Sequence, residues 1–191
     1  EKGEVSARNR AILFLLLFTG LRGCDIARLT FRSIDWKTEQ ILVTQQKTSV
    51  PLELPLSAVV GNAIYDYLES ERPDTGCPRL FLTETHPFSP LSTQGIANIV
   101  TKICRIAGVR QNPGDRKGTH IFRHNLASSM LENGVPQPVI TQTLGHTAPD
   151  SLEPYLRADF VHLKECVLSV EQVPHGKGGA VHMKEFRSFL S

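Results

Sequence analysis

Long apolar runs are missing from these 191 residues: the longest, Ala11 to Phe18, has eight, against the roughly 20 that a membrane-spanning helix needs. A basic start leading into an apolar stretch and a small-residue cleavage site is also lacking, so neither a secretory signal nor membrane association is expected. Cysteine is sparse. Cys24, Cys77, Cys104 and Cys166 form no C-x-x-C pair and no repeated spacing, which argues against both a zinc site and a disulfide framework. Reduced thiols in a cytoplasmic compartment are the expectation that follows. There is no internal repeat, and the net charge of +2 is too small to demand a polyanionic partner. What is present is ordinary for a globular chain, with 40% apolar and 21% charged residues. The length suggests one domain or one domain plus a tail. The opening Glu1-Lys2-Gly3-Glu4 reads as a join between domains, so a fragment of a longer protein is expected.

The distribution of charge says more than its sum. Between Thr101 and His124 stand Lys102, Arg105, Arg110, Arg116, Lys117 and Arg123 against the single acid Asp115. Between Leu52 and Arg79 the balance reverses, with five acids to two bases. A concentrated basic stretch is the footprint of a phosphate-binding face, or else plain solvated surface.

Residues 5–18 predict a helix whose second half is almost wholly apolar and therefore buried. Gly20 and Gly23 end it, and Cys24 to Leu29 predicts a short second helix. Two strands are expected at 40–45 and 50–56, joined by Gln46-Lys47-Thr48-Ser49, with the prolines of the second marking it as an edge. Ser57 caps a helix to about Glu71, and the proline-rich 73–90 reads as a loop holding a short buried Leu80-Phe81-Leu82. Helices follow at about 92–107, 120–132, 136–143 and 156–168, with Gly134 past one end and Pro136 opening the next. A flexible Pro-His-Gly-Lys-Gly-Gly linker at 174–179 leads to an amphipathic tail. The fold class is mostly α with a small antiparallel β-sheet, an α+β arrangement.

Several polar residues stand where a bland core or loop would not need them. Arg22 directly follows the most apolar helix, so its guanidinium must reach the carboxylate of Asp25, a phosphate or solvent. His120 and Arg123, three apart at a helix start, share one side of it and suit an anion there, though a capped helix start is the plainer reading. His124 joins that face, but without H-E-x-x-H or a third ligand no metal is expected. Leu144-Gly145-His146 closes the next helix, and Tyr155 comes nine residues later. A tyrosine can attack phosphorus directly if cations favour its oxyanion, while an ordinary half-buried aromatic is the simpler alternative. Lys47 at a hairpin tip is either inert in solvent or a mobile ammonium able to protonate a leaving alkoxide.

Taken in order, Thr19-Gly20-Leu21-Arg22, Lys47, His120-x-x-Arg123, Leu144-Gly145-His146 and Tyr155 resemble the tyrosine recombinase, or phage integrase, family over about residues 5–165. The resemblance implies that fold for 1–170, with 171–191 a linker and C-terminal tail and an N-terminal DNA-clamping domain missing from the chain. It implies site-specific recombination for integration, excision or transposition of a mobile element. Tyr155 would be the nucleophile, leaving a 3′-phosphotyrosyl link and a free 5′-hydroxyl. Arg22 and Arg123 would bind the non-bridging oxygens, Lys47 would protonate the departing 5′-oxygen, His120 would assist proton transfer or phosphate binding, and His146 would hydrogen-bond the phosphate. Lys102, Arg116 and Lys117 would contact DNA.

The implied partner is double-stranded DNA, bound by a homo-tetramer in which residues 181–190 dock between protomers, with a DNA-bending accessory protein besides. No cofactor and no metal are implied, and the setting is a bacterial cytoplasm, at the nucleoid when on DNA. Pro154 departs from a simple helix around the tyrosine, because the residue before a proline is pushed out of helical geometry. Two alternatives stay open: type IB topoisomerase-like relaxation, and a non-catalytic DNA-binding module of the same fold.

Overall fold

The computed structural model describes residues 5–49, 51–109, 112–114 and 118–145. Helix α1 (Ala7–Thr19) is the central element. Ala11, Ile12, Leu13, Leu15 and Leu16 are all buried, so most of its circumference is core, as its unbroken apolar run requires. Its first turn is held by Ser6, whose Oγ accepts from the Asn9 N–H at 3.3 Å, and by the Glu71 carboxylate, which accepts from Ala7 N and Arg8 N at 2.6 and 3.0 Å. These contacts satisfy donors that have no partner inside the helix. Helix α2 (Gly23–Arg28) follows after a turn.

A 3₁₀ turn at Phe31–Ser33 leads into a three-stranded antiparallel sheet in the order β1 (Ile34–Asp35), β2 (Gln40–Thr44), β3 (Pro51–Pro55). The sheet has one strand more than the sequence predicts. β1 is two residues long, too short to show a periodic pattern, and exists through its pairing of Ile34 with Ile41. β3 lies at the edge, the place where a strand bounded by Pro51 and Pro55 loses no ladder hydrogen bond inside a sheet. Leu52 and Leu54 face the core opposite Val43 and Ile41.

Helix α3 (Ala58–Ser70) packs along α1. Ser57 stands at its N-cap without making a side-chain cap hydrogen bond. In the proline-rich loop beyond, Leu80, Phe81 and Leu82 are buried, and Phe81 stacks on Tyr67 at 5.5 Å. Arg72 secures the loop: its Nε donates to Leu80 O at 3.0 Å, and its Nη2 donates to the carbonyls of Cys77 and Arg79 at 2.9 and 2.8 Å. Carbonyls without a strand partner are thus served by one guanidinium.

Helix α4 (Thr93–Ile106) packs against α2, and α5 (His120–Glu132) packs against both α1 and α6 (Gln137–Leu144). Pro136 is the N-cap of α6, one place earlier than the first helical residue. Ala127, Ile140 and Leu144 form a small second cluster that joins α5 to α6. The C-termini of α1 and α6 both turn through a glycine in left-handed conformation, Gly20 at φ 62° and Gly145 at φ 63°. Among the described residues, no helix is long and apolar enough to cross a membrane.

Candidate active site

Local chemistry aims the Thr19–Arg22 turn. Thr19 Oγ1 donates to Leu15 O at 2.5 Å and accepts from Leu21 N at 3.2 Å, so a buried hydroxyl closes α1 and sets the path to Arg22. Gly20 lies against the helices carrying the other candidates: a Cβ there would stand 2.8 Å from Leu144 Cδ2 and 2.9 Å from Leu126 Cδ2. Gly23 lies against the start of α5, where a Cβ would stand 3.2 Å from Thr119 Cγ2. Arg22 therefore sits between the beginning of α5 and the end of α6.

Arg22 is half-buried, and its Nη1 donates to Gln45 Oε1 at 2.7 Å. It makes no ion pair with Asp25. That acid is turned the other way, with Oδ1 accepting from the Gln46 N–H at 2.9 Å. Asp25 Oδ2 is buried and has no hydrogen-bond partner among the described residues. A guanidinium offers five N–H donors; here a single neutral amide is its hydrogen-bond partner among the described residues. The positive charge of Arg22 is left uncompensated by any carboxylate within ion-pair distance there. Beside it, burial and then the Asp25 carboxylate push the Cys24 thiol up, which keeps that sulfur neutral and a poor nucleophile.

Arg123 is buried on α5. Its Nη1 donates to Gly20 O at 2.9 Å, and its Nη2 donates to Leu144 O. Both acceptors belong to helix C-termini, whose partial negative charge favours a cation. The same Leu144 carbonyl accepts from Gln45 Nε2 at 3.0 Å. One amide and one carbonyl thus connect Arg22 to Arg123.

Lys47 is exposed in the turn between β2 and β3, and His120 is exposed at the first residue of α5, so Arg123 is the inward-facing member of that pair. Lys102 is exposed on α4, at the outer end of the basic stretch. Of the other predicted residues, His146, Tyr155, Arg116 and Lys117 lie outside the described residues, as do the 156–168 helix, the linker and the tail. The described residues contain no group of three or more His, Cys, Asp or Glu side chains arranged to hold a metal ion.

Gln45 is the residue that sequence reasoning missed. It is fully buried and continues the inward phase of β2 after Ile41 and Val43. A polar amide at that phase was the available signal. Gly145 packs directly on it: a Cβ there would lie 2.6 Å from both Cδ and Nε2 of Gln45. Gly145→Ala is therefore expected to destabilise on two counts, roughly 1–2 kcal/mol for left-handed backbone in a non-glycine residue and about 1–3 kcal/mol for overpacking. A lowered urea midpoint at unchanged slope would register both.

The sequence profile of the phage integrase family matches residues 1–162. An integrase/recombinase of Sinorhizobium fredii, y4gC, is 38% identical over 170 residues, covering 89% of this chain and 86% of its own length. The tyrosine recombinase XerA of Pyrococcus furiosus is 29% identical, over 84% of this chain and 54% of its own. Among solved structures, XerA recombinase superposes with a TM-score of 0.70 at 23% identity, covering 90% of this chain and 60% of that one. XerH recombinase in a pre-cleavage complex with its difH substrate gives 0.66 at 22%, covering 85% and 47%. The chain belongs to the phage integrase family and has the fold of a tyrosine recombinase catalytic domain. It spans most of y4gC but only 38% to 54% of several other curated relatives, including a second Sinorhizobium fredii integrase/recombinase, y4rF, and XerA.

Proposed function

We propose that this chain is a site-specific DNA recombinase that breaks and rejoins strands through a covalent 3′-phosphotyrosyl intermediate on Tyr155. The observation that carries the reading is Arg22: a half-buried guanidinium that, among the described residues, has a neutral hydrogen-bond partner and no carboxylate, and is linked through one amide and one carbonyl to a second guanidinium. A partly desolvated cation with no counter-charge among the described residues favours an anion that completes it. A phosphodiester, with two non-bridging oxygens sharing one negative charge, is that anion. Family membership supplies its context, and the difH-bound XerH structures support duplex DNA as its source.

In this reading residues 1–170 are the catalytic domain and 171–191 a linker and tail. The Tyr155 oxygen attacks the scissile phosphorus, and the bond from phosphorus to the 5′-oxygen breaks. Lys47 gives its proton to that departing oxygen, and His120 takes or relays the proton of the phenol. Arg22, Arg123 and His146 stabilise the charge on the non-bridging oxygens. Lys102, Arg116 and Lys117 hold the flanking backbone. The phosphotyrosyl bond conserves the energy of the broken one, so a 5′-hydroxyl from another strand can attack it and rejoin DNA with no cofactor consumed. Four protomers on two duplexes, with residues 181–190 docking in trans, would allow that exchange, and a mobile element is the cargo the reading favours. Preorganised cations are what such chemistry demands of a protein, since positioning and charge stabilisation do most of the work.

The test uses nicked duplexes of pooled sequence that trap cleavage by losing the short 5′-hydroxyl fragment. The expected result is DNA that stays on the chain in denaturing detergent, with the released end bearing a 5′-hydroxyl. Attachment through a 5′-phosphate, or none at all, would contradict the proposal. Recombinant products from paired sites separate strand exchange from simple plasmid relaxation, which is the topoisomerase alternative.

A further inference from the structure

The amide of Gln45 touches three of the segments that the proposed chemistry needs. Its Oε1 accepts from Arg22 Nη1 at 2.7 Å and from Thr48 Oγ1 at 3.0 Å. Its Nε2 donates to Leu144 O at 3.0 Å, two residues before His146. Its own backbone carbonyl accepts from Ser49 N at 2.8 Å, closing the turn that carries Lys47. The orientation of the amide is forced, because a guanidinium can only donate and a carbonyl can only accept. The side chain is fully buried, so water does not compete for these bonds.

We infer that Gln45 is the positioning residue that sets Arg22 for the scissile phosphate and ties it to the Leu144–Gly145 corner and the Lys47 turn. This rests on the recombinase reading above. Three features of glutamine matter together. It reaches across from the end of β2, and it offers an acceptor and a donor at one end. It is also neutral, which leaves the Arg22 charge whole for an anion. Glutamate keeps the acceptor for Arg22 but neutralises the guanidinium and sets a second acceptor against the Leu144 carbonyl. Methionine has similar length and neither hydrogen bond. A misplacement of about 1 Å in such a group can cost on the order of 10²-fold in rate.

The test compares the whole chain with Gln45→Met and Gln45→Glu on two trapping duplexes, one with a normal scissile phosphate and one with a methylphosphonate there. Replacing a non-bridging oxygen by methyl removes the charge that Arg22 would meet. On the phosphate duplex both variants are expected to form adduct on the order of 10²-fold more slowly, while duplex affinity stays within about twofold. On the methylphosphonate duplex the Gln45→Met deficit is expected to shrink at least about tenfold, since a misplaced cation matters less to a neutral centre. Urea melts of both variants establish that each is folded. A folded Gln45→Met chain that cleaves at the normal rate overturns the inference. An equal deficit on both duplexes also overturns it, because a general structural defect does not depend on phosphate charge. An unaltered chain that forms no adduct on either duplex overturns the recombinase reading itself, a result distinguishable from failure of the variants alone.

Discussion

A Tyr155→Phe chain is expected to bind the same duplexes as the unaltered chain and to form no covalent complex with any of them. The substitution keeps the ring and removes one oxygen, the proposed attacking atom. A phenol of ordinary pKa near 10 is roughly one part in a thousand ionised at pH 7. The proposed cations are there to favour that oxyanion and the charge that develops on phosphorus. Weakening them slows the step, whereas removing the oxygen abolishes it. The two other tyrosines, Tyr65 and Tyr67, both ride on α3. Tyr67 is also buried, with its hydroxyl accepting from Leu82 N at 3.2 Å, and burial pushes its phenol up. Adduct formation is read in denaturing gels and binding by titration of labelled duplex. An adduct that survives in the Phe chain would remove Tyr155 from its role.

The two arginines are expected to separate when each is replaced by alanine. Both variants should lose on the order of 10²-fold or more in cleavage, as for the loss of a preorganised donor to a transition state. Their stabilities should differ. Arg22 is half-buried and makes one hydrogen bond among the described residues, to a Gln45 oxygen that also has the Thr48 hydroxyl. Its loss should cost at most the roughly 1.5–3 kcal/mol of one hydrogen bond to a charged group. Arg123 is buried and donates to two helix-terminal carbonyls, Gly20 O and Leu144 O. Hydrogen bonds of a charged group run about 1.5–3 kcal/mol each, and Gly20 O would be left in a site built around a guanidinium. A loss of at least about 3 kcal/mol is expected. Urea unfolding checks the pair. Equal midpoints would show that Arg123 does not fasten α1 to α6.

Much of this was legible in the chain. An eight-residue apolar run can only be buried, and α1 is the centre of the core. Prolines bounding a short alternating strand can only sit at an edge, and β3 does. The two-residue β1 was not legible, because it depends on register with β2 and not on its own pattern. The partner of Arg22 was also hidden. A near acid in sequence, Asp25, looked like the counter-ion, yet α2 turns its carboxylate toward the Gln46 N–H. The true partner, Gln45, stands one residue past β2 and is recognised only because it continues that strand's inward phase. Likewise His120 and Arg123 share a helix start in sequence, but packing against α1 buries the arginine and leaves the histidine exposed. Spacing gives the face of a helix; what that face meets is decided by tertiary packing.

The most direct measurement is the mass of the tryptic peptide that carries the trapped nucleotide. Cleavage after Arg123 and Arg157 gives a peptide, residues 124–157, in which Tyr155 is the sole tyrosine. This peptide is expected to gain the nucleotide mass, with fragmentation placing it on Tyr155. Nucleotide mass on any other residue, or on the peptide holding Tyr65 and Tyr67, would contradict that assignment.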